Sequence, residues 1–129
     1  MIIGIGVDIV QIKRIKQFAT KNKLHKLIDK FLCLQEIALL PKNDIQKITY
    51  LSKRFAAKEA FSKALGTGIG AQCSFLDIAV VKNKKGKPSF SFKGELKKRA
   101  KTENWQVYLS ITDEKKYALA MVVLEARNY

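Results

Sequence analysis

Two carboxylates sit where a carboxylate needs a reason. Asp8 lies in Ile5-Gly6-Val7-Asp8-Ile9-Val10, where every neighbour is apolar or glycine. A charge beside a core costs several kcal/mol unless it is paired, hydrogen-bonded or bound to metal. Two readings stand: Asp8 ends a strand and caps the next helix, or it is a ligand. Glu59 lies in Arg54-Phe55-Ala56-Ala57-Lys58-Glu59-Ala60-Phe61-Ser62-Lys63. At helical spacing, positions 48, 51, 55, 59 and 62 share a face, so Glu59 continues the stripe of Ile48, Leu51 and Phe55. One reading is a surface i,i+4 ion pair with Lys63, worth about 0.3–0.5 kcal/mol. The other is an inward carboxylate close to Asp8. Two converging carboxylates in so basic a chain suit Mg²⁺, which takes one or two of them and keeps positions for water and phosphate oxygens. Arg54, Lys58 and Lys63 on the same helix then surround a ligand phosphate. The alternative for these three is a solvated basic face.

Other chemistries fail on spacing. Gly66-Thr67-Gly68-Ile69-Gly70 has no GK[ST] and follows a helix instead of opening one, so it is not a Walker loop. Gly4 and Gly6 begin a dinucleotide fingerprint, but Ile9 occupies its third glycine position. The loop at Gly66 still allows close backbone approach to a ligand. His25 is the lone histidine and lies between lysines 23 and 26, a surface setting. No Ser-His-Asp, Cys-His or zinc set can be assembled. Trp105 and the phenylalanines follow core periodicity, not that of base-stacking platforms.

The elements that must position Asp8 and Glu59 can be read from periodicity. Ile2–Val10 reads as a buried strand. Ile12, Ile15 and Ala19 mark a first helix, and Leu24, Leu27, Ile28, Phe31 and Leu32 a second. Leu34–Leu40 is a further helical turn or two, ended by Pro41. Asn43 or Asp44 caps a long helix to Leu65, with Ile45, Ile48, Leu51, Phe55, Phe61 and Leu65 as its stripe and Gly66 as its C-cap. Strands are expected at Phe75–Val81 and Pro88–Phe92, joined by a lysine-rich turn at Asn83–Gly86. Glu95–Thr102 reads as a short basic helix. Trp105–Ile111 alternates as a half-buried strand, Asp113–Lys116 turns, and Tyr117–Glu125 returns. The class is α+β: a strand, several helices including one long central helix, then a mostly antiparallel sheet.

The chain has 129 residues, the size of one domain spanning 1–129. Hydrophobic residues make up 47%, enough for a core. No apolar run approaches the ~20 residues of a membrane span. The opening MIIGIGVDIV lacks a basic leader and carries Asp8, so it reads as a strand and not a signal peptide. Cys33 and Cys73 are far apart without CxxC spacing and read as reduced, buried thiols of a cytoplasmic protein. Lys and Arg total 25 against 11 Asp and Glu, a formal charge of +14. Such a field favours a polyanionic partner: nucleic acid, anionic lipid, a phosphorylated ligand or an acidic protein.

Gly4-Ile5-Gly6-Val7-Asp8-Ile9-Val10-Gln11-Ile12-Lys13-Arg14-Ile15 resembles the amino-terminal signature of holo-acyl-carrier-protein synthases. Arg54-Phe55-Ala56-Ala57-Lys58-Glu59-Ala60 through Lys63, with Gly66-Thr67-Gly68, resembles their second signature. Gly86-Lys87-Pro88, Ser110-Ile111-Thr112 and Tyr117-Ala118-Leu119-Ala120 are similar to later blocks. The resemblance covers nearly the whole chain in order. It implies the 4′-phosphopantetheinyl transferase fold. The implied reaction moves phosphopantetheine from coenzyme A to a serine hydroxyl of apo acyl carrier protein. Adenosine 3′,5′-bisphosphate is the other product. Mg²⁺ and a cytoplasmic homotrimer with active sites between subunits are implied too, in the setting of fatty acid biosynthesis.

By that resemblance Asp8 and Glu59 are the metal carboxylates and Lys63 lies near the pyrophosphate. Charge on the leaving phosphate is then neutralised by the metal and Lys63. Glu59, directly or through a metal-bound water, is the candidate base for the serine proton. Arg54, Lys58, Lys63 and Gly66 are candidates for phosphate or nucleotide contacts. The basic first helix, with Lys13, Arg14, Lys16 and Lys21, is the expected dock for an acidic carrier protein, and Phe18 supplies a packing contact. Many relatives carry histidine where this chain has Asp113, so a histidine base from that position is excluded. A nucleic-acid module accounts for the charge equally well, but not for Asp8 or Glu59, and no RNA-binding aromatic pair or GXXG-type clamp is present. No membrane or nucleic-acid partner is expected. A purely structural oligomeric domain would leave the paired signatures a coincidence.

Overall fold

The computed structural model describes residues 1–20 and 23–127. It is organised by one helix, α4 (Asp44–Leu65), of 22 residues. Before it come β1 (Ile2–Gln11), α1 (Ile12–Phe18), α2 (Leu24–Phe31) and the single turn α3 (Leu34–Ile37). After it come a 3₁₀ turn (Phe75–Asp77), β2 (Ile78–Lys82), β3 (Pro88–Phe92), α5 (Gly94–Thr102), β4 (Trp105–Asp113) and β5 (Tyr117–Ala126).

Both ends of α4 are chemically marked. Asn43 Oδ1 accepts from the backbone N–H groups of Ile45 and Gln46, satisfying donors that the helix leaves unpaired. Gly66 stops the helix in the left-handed region at φ 88°, a conformation that costs glycine little. The buried face begins at Ile48. Ile45, expected on the apolar stripe, is 72% exposed and lines an open groove beside α1.

The strands form two antiparallel sheets where a single one was expected: β1-β5-β4, and the separate hairpin β2-β3. The expected strand at Phe75–Val81 begins only at Ile78, since Ser74 caps a 3₁₀ turn over Phe75–Asp77. That turn presents Phe75 to Phe31 and Phe55, with ring centroids 4.7 and 5.6 Å away. Aromatic packing here outweighs the β-propensity of the segment.

Helix α4 lies across β1, and glycine makes the approach possible. A methyl group at Gly4 would collide with the carbonyl of Ala64, and one at Gly6 with the carbonyl of Ala60. Small residues on both sides bring helix and strand backbones close together. This is the reason for the Gly-x-Gly pair that resembled a dinucleotide fingerprint. The inner face of the larger sheet buries Val10, Leu109, Ala118, Ala120, Val122 and Leu124 against the helix. Its outer face is also apolar but uncovered: Ile5 is 60% exposed and Ile9 59%, with Val7, Tyr108 and Met121 beside them.

Candidate active site

The close contact between β1 and α4 sets the site. On β1, positions 4, 6, 8 and 10 face the helix: the first two are glycines and the others are Asp8 and Val10. Asp8 follows the two glycines on that face and meets the helix where Glu59 and Lys63 stand one turn apart. Lys63 Nζ donates to Asp8 Oδ1 at 3.0 Å and to the Val7 carbonyl at 3.0 Å. The Asp8 side chain is only 15% exposed, that of Lys63 52%. Asp8 is thus neither a helix cap nor solvated. The cap position of α1 is Gln11, with no side-chain hydrogen bond.

Glu59 is half-buried and lines the same pocket as Asp8. Burial is the main cause that pushes its carboxyl above the ordinary range. The negative charge of Asp8 adds to this, and Lys63 works against it. Of the two helical readings, the inward one holds: Lys63 pairs with Asp8 across the fold, while no salt bridge joins it to Glu59 among the described residues. The pocket holds about 330 Å³ and is closed by Arg14, Ile15, Phe18 and Phe55. Arg14 and Phe18 of α1 therefore overlook the carboxylates. Ile15, 6% exposed, anchors the helix from its inner side.

The remaining predicted residues fall elsewhere. Lys13 lines a different groove of about 760 Å³, with Lys16, Lys115 and Lys116 at its edge. Lys21 lies outside the described residues. Gly66 is exposed and three residues beyond Lys63, and its amide closes the helix on Ser62 and Lys63. Arg54 does not line the pocket. Its guanidinium lies 3.4 Å over the Tyr50 ring and Nε is 3.8 Å from Glu36. Asp113 pairs with Lys53 at 3.6 Å, half exposed, an arrangement of small energetic weight.

Lys58 is a correction. It is fully buried, so it cannot face a ligand phosphate. Its ammonium donates to Glu36 Oε1 at 2.5 Å, the Phe31 carbonyl at 2.6 Å and the Phe75 carbonyl at 3.0 Å, using all three donors. Burial pulls its pKa down and Glu36 opposes that shift. Glu36 in turn accepts from the backbone N–H groups of Cys33 and Val80 at 3.1 Å each. The cluster ties α3, α4, the 3₁₀ turn and β2 together. Helical period alone could not separate Lys58 from its solvated neighbours. The only signal for Glu36 was a charge within the apolar stretch from Phe31 to Leu40.

A second pocket, of about 400 Å³, opens on the outer face of the larger sheet. Lys87, Pro88, Tyr108 and Ser110 line it, so the later motifs Gly86-Lys87-Pro88 and Ser110-Ile111-Thr112 meet there. Strand alternation was the available sign, since Ser110 must oppose Leu109. Far apart in sequence, the two motifs meet only through the fold.

The donor set fits Mg²⁺. Among the described residues no cluster of three or more ligating side chains exists. Mg²⁺ does not need one: one or two carboxylates suffice when water and phosphate complete its shell. Two carboxylates in one pocket, one of them held by an ammonium, call for further positive charge.

A carboxylate pair and a lysine, set between a strand and a long helix of an α+β fold, suit the transfer of phosphorylated groups. The chain belongs to the 4′-phosphopantetheinyl transferase superfamily, whose family model matches residues 4–122. It is 47% identical to a holo-[acyl-carrier-protein] synthase of Pelagibacter ubique (strain HTCC1062), over 98% of each chain. It superposes on the crystal structure of holo-[acyl-carrier-protein] synthase from Neisseria meningitidis with a TM-score of 0.88 at 40% identity, covering 97% of this chain and 99% of that one. The Helicobacter pylori enzyme of the same name, solved in complex with coenzyme A, matches with a TM-score of 0.79 at 37% identity, over 94% of this chain and 99% of that one.

Proposed function

We propose that this chain transfers 4′-phosphopantetheine from coenzyme A to a serine hydroxyl of apo acyl carrier protein, as one catalytic domain spanning 1–129. The observation that carries this reading is the meeting of Asp8 and Glu59 in one pocket beneath Arg14 and Phe18 of the basic helix α1, with Lys63 bonded to Asp8.

The serine oxygen attacks the phosphorus that bears pantetheine. The bond from that phosphorus to the bridging oxygen breaks, and adenosine 3′,5′-bisphosphate leaves. Asp8 and Glu59 would hold Mg²⁺, which would supply positive charge for the pyrophosphate leaving group. Lys63, at the end of α4, adds a second positive charge to that group. Glu59 takes the serine proton. Gly66 leaves open space beside the helix end, where backbone can approach phosphate.

Arg14 and Phe18 supply the docking contacts for the carrier protein: a cation to attract an acidic surface and an exposed ring to pack against it. Lys13 extends the basic surface on the adjoining side of α1, and Lys21 follows it in sequence. The reaction serves fatty acid biosynthesis in the cytoplasm. Two observations are in keeping with that setting: no described helix is long and apolar enough to cross a membrane, and both cysteines are free and buried.

A homotrimer completes the site. The uncovered apolar face of the larger sheet needs a partner, being the kind of patch that marks an interface. The pocket of Lys87, Pro88, Tyr108 and Ser110 opens on that same face, so assembly brings it next to a neighbouring copy. Sedimentation at micromolar concentration should give three times the chain mass, and Val7→Glu should dissociate it. A monomeric wild type contradicts the assembly.

The activity is tested by intact mass. Apo carrier protein should gain one phosphopantetheine only with enzyme, coenzyme A and Mg²⁺ all present. Asp8→Ala should remove that gain while the melting transition stays cooperative. If folded Asp8→Ala retains wild-type turnover, the carboxylate site is wrongly placed.

A further inference from the structure

We propose that Lys63 holds the Asp8 carboxylate in place of a divalent cation, so that metal enters only as the ammonium leaves and the anionic donor receives it. This rests on reading Asp8 and Glu59 as the metal carboxylates.

The geometry sets up the competition. Lys63 Nζ is 3.0 Å from Asp8 Oδ1 and 3.0 Å from the Val7 carbonyl, so the ammonium is seated by two acceptors. Asp8 is largely enclosed, and Oδ1 is the oxygen that the ammonium engages. A divalent ion on this carboxylate meets a like charge at hydrogen-bond range, and the two repel. Either the metal stays weakly bound or the ammonium withdraws.

Withdrawal is open to Lys63. Its side chain is 52% exposed, it stands in the last turn of α4, and Gly66 beyond it leaves free space. Leaving Asp8 costs the ammonium an ion pair, and solvent or a new anion must replace it. A pyrophosphate in the site is such an anion. Metal and donor therefore strengthen each other's binding through Lys63. The coupling is reciprocal, as linkage requires.

Glu59 makes the exchange directional. It lines the same pocket as Asp8 and has no ammonium of its own among the described salt bridges. Two carboxylates share one lysine, which leaves the pocket short of positive charge. A metal is still drawn in, but it must displace the resident cation. The protein is thereby kept from collecting metal before coenzyme A arrives.

Mn²⁺ titration followed by electron paramagnetic resonance tests this on the full chain, without and with coenzyme A. Without coenzyme A, Lys63→Met should bind Mn²⁺ about tenfold more tightly than wild type, within the usual range of such couplings. Arg14→Met removes a nearby charge that has no contact with Asp8, and its effect should be far smaller. Coenzyme A should tighten Mn²⁺ on the wild type more than on Lys63→Met. The inference is overturned if Lys63→Met binds Mn²⁺ no better than wild type, binds none at all, or matches Arg14→Met. Asp8→Asn separates the two claims. Loss of Mn²⁺ binding there, with no change in Lys63→Met, sinks only this inference. Unchanged binding in Asp8→Asn sinks the metal reading itself.

Discussion

Lys63 Nζ donates to Asp8 Oδ1 at 3.0 Å across 55 residues of sequence. That bond joins the end of the longest helix to the middle of the first strand, and Glu59 stands one turn away on the helix. It requires β1 and α4 to touch closely, which only glycine and alanine at the crossing permit.

Gly6→Ala should therefore act on the site from a distance. The new methyl meets the Ala60 carbonyl and pushes α4 away from β1. Overpacking of this kind costs about 1–3 kcal/mol. Urea denaturation should show that loss, and turnover should fall because Glu59 and Lys63 move away from Asp8. Unaltered stability and turnover would show that the crossing has slack.

Glu59 predicts a trade between function and stability. Its folded pKa lies above the unfolded value, so the folded state holds the proton more tightly. Its contribution to folding is most favourable in acid, below the unfolded pKa, and is lost as pH rises through the folded pKa. Without divalent cations, Glu59→Gln should melt higher than wild type at pH 7. The two curves should converge near pH 4, while the variant loses transferase activity. A lower melting temperature at pH 7 contradicts the electrostatic account.

Lys58 should prove structural. Lys58→Ala leaves Glu36 buried without its closest cation, a loss of about 3–5 kcal/mol. Denaturant midpoints should fall accordingly. The Michaelis constant for coenzyme A, measured on the folded fraction, should hold steady. A stable variant with weakened coenzyme A binding would restore Lys58 to the ligand site.

Arg14 should report on carrier docking. Arg14→Glu reverses a charge at the pocket mouth. The Michaelis constant for the carrier protein should rise several-fold, that for coenzyme A little, and the salt sensitivity of the rate should weaken. A rise confined to coenzyme A would place Arg14 on the donor instead.

Much of this molecule is written in local order. The Asn43 and Gly66 caps, the periods of α1 and α2, the Pro88–Phe92 strand and the β4-β5 return follow from side-chain type and spacing, because capping and alternation act within a few residues. The pairing of Asp8 with an α4 residue was foreshadowed by two charges placed among apolar neighbours. Tertiary structure decided the remainder. Lys58 and Lys63 are both lysines of one helix, five residues apart, yet one is sealed beside Glu36 and the other reaches Asp8. Ile45 has the period of the core and lies outside it, and Phe75 leaves its expected strand to join two other rings. Local sequence states how a side chain alternates, whereas its role depends on which distant backbone covers it. That covering is settled only when the whole chain packs.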